Sequence, residues 1–181
     1  MSKPFFFLNH NLILQISIKG VEILDNTRTV KRNSDLNIRT EFSFIVSDLV
    51  LASILSDIAQ ANVNIAVFFT NRTKANKNFV RLVPGSAESE NKRDLGVVRK
   101  TLQAHKIHYK EQKIITISPN RIPSGVPGGY SKIFGSLWCR VKVKSFYNGE
   151  GDFVYLNVSN IKKALEILSK ENVKPCKSKL G

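Results

Sequence analysis

Few side chains in this chain have the types and spacing that chemistry demands. Its three histidines, His10, His105 and His108, fall in two places with no cysteine or carboxylate cluster beside them, so no metal site is expected. Ser124-Gly125 has no histidine within a nucleophile motif. Gly125, Gly128 and Gly129 lack the Gly-Lys-Ser/Thr that completes a phosphate loop. The 14 Asp and Glu residues place no carboxylate pair on one predicted element. Cys139 is expected at a helix C-terminus, where the negative end of the dipole opposes a reactive thiolate. Catalysis is therefore not expected, nor is a cofactor. The pattern with most chemical content is basic and aromatic. Arg140, Lys142 and Lys144 alternate with Val141 and Val143, while Phe153 and Tyr155 alternate with Val154, Leu156 and Val158. Strand side chains alternate, so if the aliphatic set turns to a core, cations and rings share the other face. Such a face, left open, suits the bases and phosphates of a nucleic acid. The competing expectation is that Phe153 and Tyr155 pack against a sister unit or another subunit.

Charge sharpens where an anionic partner would bind. Of 181 residues, 28 are Lys or Arg, and the formal net charge is +14. Residues 1–90 carry 10 basic and 8 acidic residues, whereas residues 91–181 carry 18 and 6. The second half is the basic half. With 42% hydrophobic and 23% charged residues the composition is that of a globular protein, which excludes wholesale disorder. No stretch approaches the roughly 18 consecutive apolar residues of a membrane span. The apolar run Phe5–Leu8 is too short for a secretory leader. Cys139 and Cys176 are not spaced as a metal pair, and a chain of this size needs no covalent staple. A reducing, cytoplasmic location with unpaired cysteines is the expectation, with no membrane partner.

The elements that position these residues follow from hydrophobic period. Alternation predicts strands over 11–18 and 21–24, an N-terminal β extension spanning residues 1–37. A strand over 39–46 puts Phe42, Phe44 and Val46 on one face. Ser47 or Asp48 then caps a helix over 49–61, followed by strands over 63–70 and 78–83 and a helix over 91–105. A closing strand over 109–118 follows. The second series is a strand over 113–118, a Pro- and Gly-rich loop, and a helix over 128–138 with Tyr130, Ile133, Phe134 and Leu137 inward. It ends with strands over 140–147 and 153–158 around the turn Asn148-Gly149-Glu150-Gly151, and a helix over 161–170 capped by Asn160. Residues 175–181 read as a frayed basic tail.

The two series are copies of one unit. Ala61–Phe69 aligns with Cys139–Tyr147, and Phe79-Val80-Arg81-Leu82 with Phe153-Val154-Tyr155-Leu156. Leu95, Val98, Leu102 and Ile107 fall where Ile161, Ala164, Leu168 and Val173 fall. The expected fold is α/β (α+β): two ferredoxin-like βαββαβ units in tandem, antiparallel sheets with helices on one face, divided as 38–112 and 113–174.

The second unit resembles an ACT domain, a ligand-sensing regulatory module. Its lead into the first helix, Val126-Pro127-Gly128-Gly129-Tyr130-Ser131, and its last helix, Asn160–Leu168, are similar to that family's. The first unit resembles a degenerate copy, so the chain is similar to stand-alone tandem ACT proteins. That resemblance implies a non-enzymatic regulatory protein that holds a small molecule, an amino acid above all, where two units meet. In the family, backbone N–H groups at a helix N-terminus receive a carboxylate, and a polar residue of the neighbouring second strand helps. Carried over, the loop Val126, Gly128 and Gly129 faces Asn64 across a pseudo-twofold, with Lys142 standing where the family often has Asn. Asp48 in the first unit's loop would repel a second carboxylate. A homodimer is a further expectation. The strand Gly151–Leu156 also partly echoes an RNA-recognition signature, but Glu150 and Asp152 are acidic and Ile114-Ile115-Thr116 supplies no aromatic.

Overall fold

The computed structural model describes residues 35–122, 125–170 and 173–177. The strands expected over 11–18 and 21–24 lie outside the described residues. The first repeat runs β1 (Leu36–Val46), α1 (Asp48–Gln60), β2 (Ile65–Arg72), β3 (Asn78–Pro84) and α2 (Lys92–Ala104). The second runs β4 (Tyr109–Ile117), α3 (Gly129–Leu137), β5 (Val143–Asn148), β6 (Val154–Val158) and α4 (Ile161–Leu168). Local chemistry sets the ends. Asn91 and Asn160 accept the backbone N–H groups of Asp94 and Lys163, at 2.8 and 2.9 Å, as side-chain N-caps. Helices α1 and α2 stop alike, with Asn62 and Lys106 left-handed and the next N–H turned back to Ile58 and Leu102 carbonyls.

The strands form one antiparallel sheet in the order β2-β3-β1-β4-β6-β5. Exchanging β1 with β4, β3 with β6 and β2 with β5 reverses this order onto itself, so a pseudo-twofold passes between β1 and β4. These two long strands pair from Leu36↔Ile117 to Phe44↔Tyr109. Only the later residues of each, Phe42–Val46 and Ile115–Ile117, also pair within their own repeat. Their earlier residues stand where the other repeat needs its fourth strand. Two ferredoxin-like units therefore share one six-stranded sheet rather than keeping separate four-stranded ones. Among the described residues no strand follows α4, and β1 covers the edge of β4 that such a strand would pair with. The expected boundary between residues 112 and 113 falls inside β4.

Each repeat has its own core under its helices. Phe42, Phe44, Ile54, Ile58, Leu82, Val98 and Leu102 fill the first, and Ile115, Ile117, Leu137, Leu156, Ala164 and Leu168 the second. The opposite face is not open. The sheet curls until Phe69 of β2 stacks on Tyr147 of β5, ring centres 6.0 Å apart, although these strands end the order on opposite sides. Ala66, Val67, Val83, Ala87, Ile114, Phe153 and Tyr155 make a third cluster inside the curl.

Several expectations change accordingly. Tyr155 is fully buried and Phe153 nearly so, because they pack on the other repeat. Tyr130 and Phe134, expected inward, are 47% and 45% exposed; the short α3 turns only Ile133, Ser136 and Leu137 to the core. Arg140 to Lys142 precede β5 rather than opening it. The tail is held, not frayed, at residues 173–177: Cys176 donates its N–H to the Gly135 carbonyl at 2.7 Å and is disulfide-bonded to Cys139. The cysteines were expected to be unpaired, and their separation of 37 residues gave no sign of the fold-back that brings their Cα atoms to 6.0 Å. Cysteine usage thus no longer supports a reducing compartment. No helix among the described residues is long and apolar enough to cross a membrane.

Candidate functional site

The loop from β4 to α3 makes a concave surface. Gly128 adopts φ +88, a conformation L side chains avoid, and turns the chain into α3. Gly129 lies so close to Ile122 that a Cβ would sit 2.6 Å from its Cγ2. These two glycines let the loop fold tightly over the start of the helix. A cavity of about 350 Å³ results, lined by Val126, Gly128, Gly129, Tyr130, Ser131 and, from the hairpin opposite, Asp152. That volume lies at the small end of ligand pockets.

Its electrostatics are two-sided. Helix α3 carries no acidic residue in its first turn, and Gly128 offers no side chain to cap it. The first-turn N–H groups at Gly129, Tyr130 and Ser131 therefore keep donor capacity, with the positive end of the helix dipole behind them. Among the described residues, Asp152 is the one ionisable acid in the lining. An N–H cradle beside a carboxylate complements a small zwitterion.

The equivalent corner of the first repeat is filled by the protein itself. Asp48, in the first turn of α1, accepts from Asn78 at 2.6 Å and Arg72 at 2.9 Å. The Arg72 hydrogen bond, then that of Asn78, holds the Asp48 carboxyl below its ordinary range.

The hairpin between β5 and β6 joins the repeats. A single 3-10 turn, Glu150–Asp152, forms its tip. Gly149 rests on β2, where a Cβ would lie 2.5 Å from Val67 Cγ2 and 2.6 Å from the Ala66 carbonyl oxygen. Beside it, Asn64 donates to Glu150 at 3.0 Å and to the Gly85 carbonyl at 3.1 Å. One tip thus touches Asn64 through Glu150 and the loop cavity through Asp152.

Beneath the tip, the curl buries a polar centre. Glu41 is fully buried and accepts from Arg81 at 2.8 Å, Gln112 at 2.5 Å, Asn157 at 3.2 Å and the Tyr147 hydroxyl. Burial first, then the Glu41 charge, pushes the Tyr147 phenol far above its ordinary value. Burial likewise raises Tyr155, against a smaller lowering from Arg39. Every oxygen of Glu41 is engaged, so this centre fastens strands from both repeats instead of offering a site.

Of the residues singled out in the sequence, Val126, Gly128 and Gly129 line one cavity. Asn64 does not line it and is spent on Gly85 and Glu150. Lys142 immediately precedes β5, away from the loop cavity's lining, and its backbone bonds with Ser159. Of the basic and aromatic set, Lys142 and Lys144 are exposed, whereas Tyr155 and Phe153 cannot stack on a base without leaving the curl. Arg140 is engaged with Ser136, Lys174 and Cys176. His105 sits 2.7 Å from Asp57. No cluster of three His, Cys, Asp or Glu among the described residues could hold a metal. Asp152 and Glu150 were missed as site residues; their only signal was an acidic pair bracketing Gly151 in an otherwise basic half.

The arrangement has relatives among solved structures. Protein BT0572 from Bacteroides thetaiotaomicron superposes with a TM-score of 0.59 at 18% identity, over 75% of this chain and 89% of that one. Aspartate kinase from Synechocystis matches with a TM-score of 0.52 at 18% identity, over 81% of this chain and 28% of the enzyme. Both likenesses show a shared fold. A looser likeness, TM-score 0.49 and 8% identity, is to the ligand-free regulatory subunit of aspartate kinase from Thermus thermophilus. No family model and no curated protein matches the sequence.

Proposed function

We propose that this chain is a non-enzymatic regulatory protein whose α3 loop binds a small zwitterion, an amino acid being the class that fits. The observation carrying this reading is the cavity of about 350 Å³ that sets the uncapped α3 N-terminus against Asp152. The helix end takes the carboxylate, Asp152 takes the ammonium, and Val126 and Tyr130 flank the side chain. Asn64 contributes by holding the hairpin tip through Glu150. The tandem ACT-type fold supports the regulatory part. A ligand that grips both the loop and the hairpin favours one relation of the repeats, limited by its differential affinity for the two states.

Thermal-shift screening against the twenty amino acids tests this. A ligand at a hundredfold its Kd adds about 2.7 kcal/mol, or a rise of roughly 5–10 °C for this size. The shift should be nearly indifferent to salt. N-acetylating the ligand or making Asp152→Asn should each abolish it. Shifts produced only by nucleic acid, and collapsing steeply with salt, would replace the sensor reading.

A further inference from the structure

The disulfide has a chemistry of its own. Cys139 follows the C-terminal end of α3 and is exposed, whereas Cys176 is half-buried against that helix. Arg140 bridges the two chain segments. Its Nη1 lies 2.6 Å from the Ser136 carbonyl oxygen, 3.4 Å from that of Lys174 and 3.4 Å from Cys176 Sγ. The sulfurs are therefore unequal. A thiolate at Cys176 would meet a guanidinium, which stabilises it. A thiolate at Cys139 would face the negative end of the α3 dipole.

Thiol–disulfide exchange is fastest when the attacked sulfur is accessible and the departing one has the lower pKa. Both conditions select the same direction. We propose that Cys139–Cys176 is a thiolation site for an anionic low-molecular-weight thiol. The incoming thiolate attacks Cys139 Sγ and forms a new S–S bond there. The Cys139–Cys176 bond breaks, and its electron pair leaves on Cys176 Sγ as a thiolate beside Arg140. No other oxidant or reductant is consumed.

Charge selects the thiol. Segments 139–144 and 173–177 carry Arg140, Lys142, Lys144, Lys174 and Lys177 and no acidic residue. This cluster concentrates thiolates of high negative charge at Cys139 over those whose charge an ammonium cancels. The product keeps the tail on α3 only through the Cys176 N–H bond to Gly135 and the Arg140 contacts. Neither the exchange nor its readout requires the loop cavity to bind anything.

The test uses the intact protein with glutathione, mercaptoethanol and cysteamine, whose thiolates run from the most negative, glutathione, through mercaptoethanol to the net-neutral zwitterion of cysteamine. Rates are corrected for thiolate concentration, and adducts are mapped by mass spectrometry after alkylation. The adduct should fall on Cys139, with Cys176 alkylated. Glutathione should outpace cysteamine by roughly tenfold at low salt, and the gap should close near about 0.5 M salt. Arg140→Gln should slow all three thiols by roughly three- to tenfold, and Arg140→Lys should recover most of the rate. An adduct on Cys176, rates blind to thiol charge, or an Arg140→Lys variant as slow as Arg140→Gln would overturn the assignment. So would finding both cysteines free in protein purified without reductant.

Discussion

Replacing Gly149 with Ala tests whether the hairpin of the second repeat truly seats on the first. The added Cβ would lie 2.5 Å from Val67 Cγ2, 2.6 Å from the Ala66 carbonyl oxygen and 2.6 Å from Tyr155 Cε2. Ordinary contact begins near about 3.5 Å, so the tip must retreat by about 1 Å. It cannot relax by a side-chain rotation alone, because one of the three obstacles is backbone and Tyr155 is fully buried. Retreat also lengthens the 3.0 Å bond from Asn64 to Glu150. Overpacking of this kind costs about 1–3 kcal/mol, and the upper end applies where backbone is the obstacle. For a domain of this size about 3 kcal/mol lowers Tm by roughly 6–12 °C. Differential scanning calorimetry measures it directly. Gly96→Ala is the control: nothing lies within 4 Å of the new Cβ in α2, so helix propensity alone should stabilise the chain slightly. A Gly149→Ala protein that melts within about 1 °C of the parent would refute the closed curl, because so small a shift corresponds to well under 1 kcal/mol.

Two further outcomes follow from the polar centre. Glu41→Ala leaves Arg81 as a charge without its buried partner and should cost about 3–5 kcal/mol in urea titration, whereas joint replacement of Glu41 and Arg81 by Leu should recover part of that loss. Tyr147 and Tyr155 both have folded phenol pKa values raised above the ordinary tyrosine value, so the stability they contribute is present below about pH 10 and lost as pH rises beyond it. Tm followed from neutral to alkaline pH should fall, with tyrosinate absorbance of these two rings appearing only as the protein unfolds; their ionisation in a still-folded chain would contradict the burial.

The sequence by itself determined the repeat and its elements. Strand alternation in Phe42-Ser43-Phe44-Ile45-Val46, helical spacing in Val50, Leu51, Ile54, Leu55 and Ile58, and the caps Asn91 and Asn160 are local properties, and local geometry obeyed them. The glycines at 128 and 129 were legible for the same reason: a positive φ and a close approach are demands on one residue at a time. Tertiary structure decided how the copies combine. No local pattern tells β1 that its first residues will close the other repeat's sheet, since that depends on the open edge of β4, where Leu36 meets Ile117. The same curl buried Tyr155 and Phe153, whose alternation with valines fitted an exposed face equally well, because alternation tells two faces apart without saying what covers either. Tertiary packing also placed Asp152 at the loop, set Glu150 on Asn64, and folded the tail back until Cys176 met Cys139. Those contacts join residues apart along the chain, and the bond between Asn64 and Glu150 exists only once both repeats have formed.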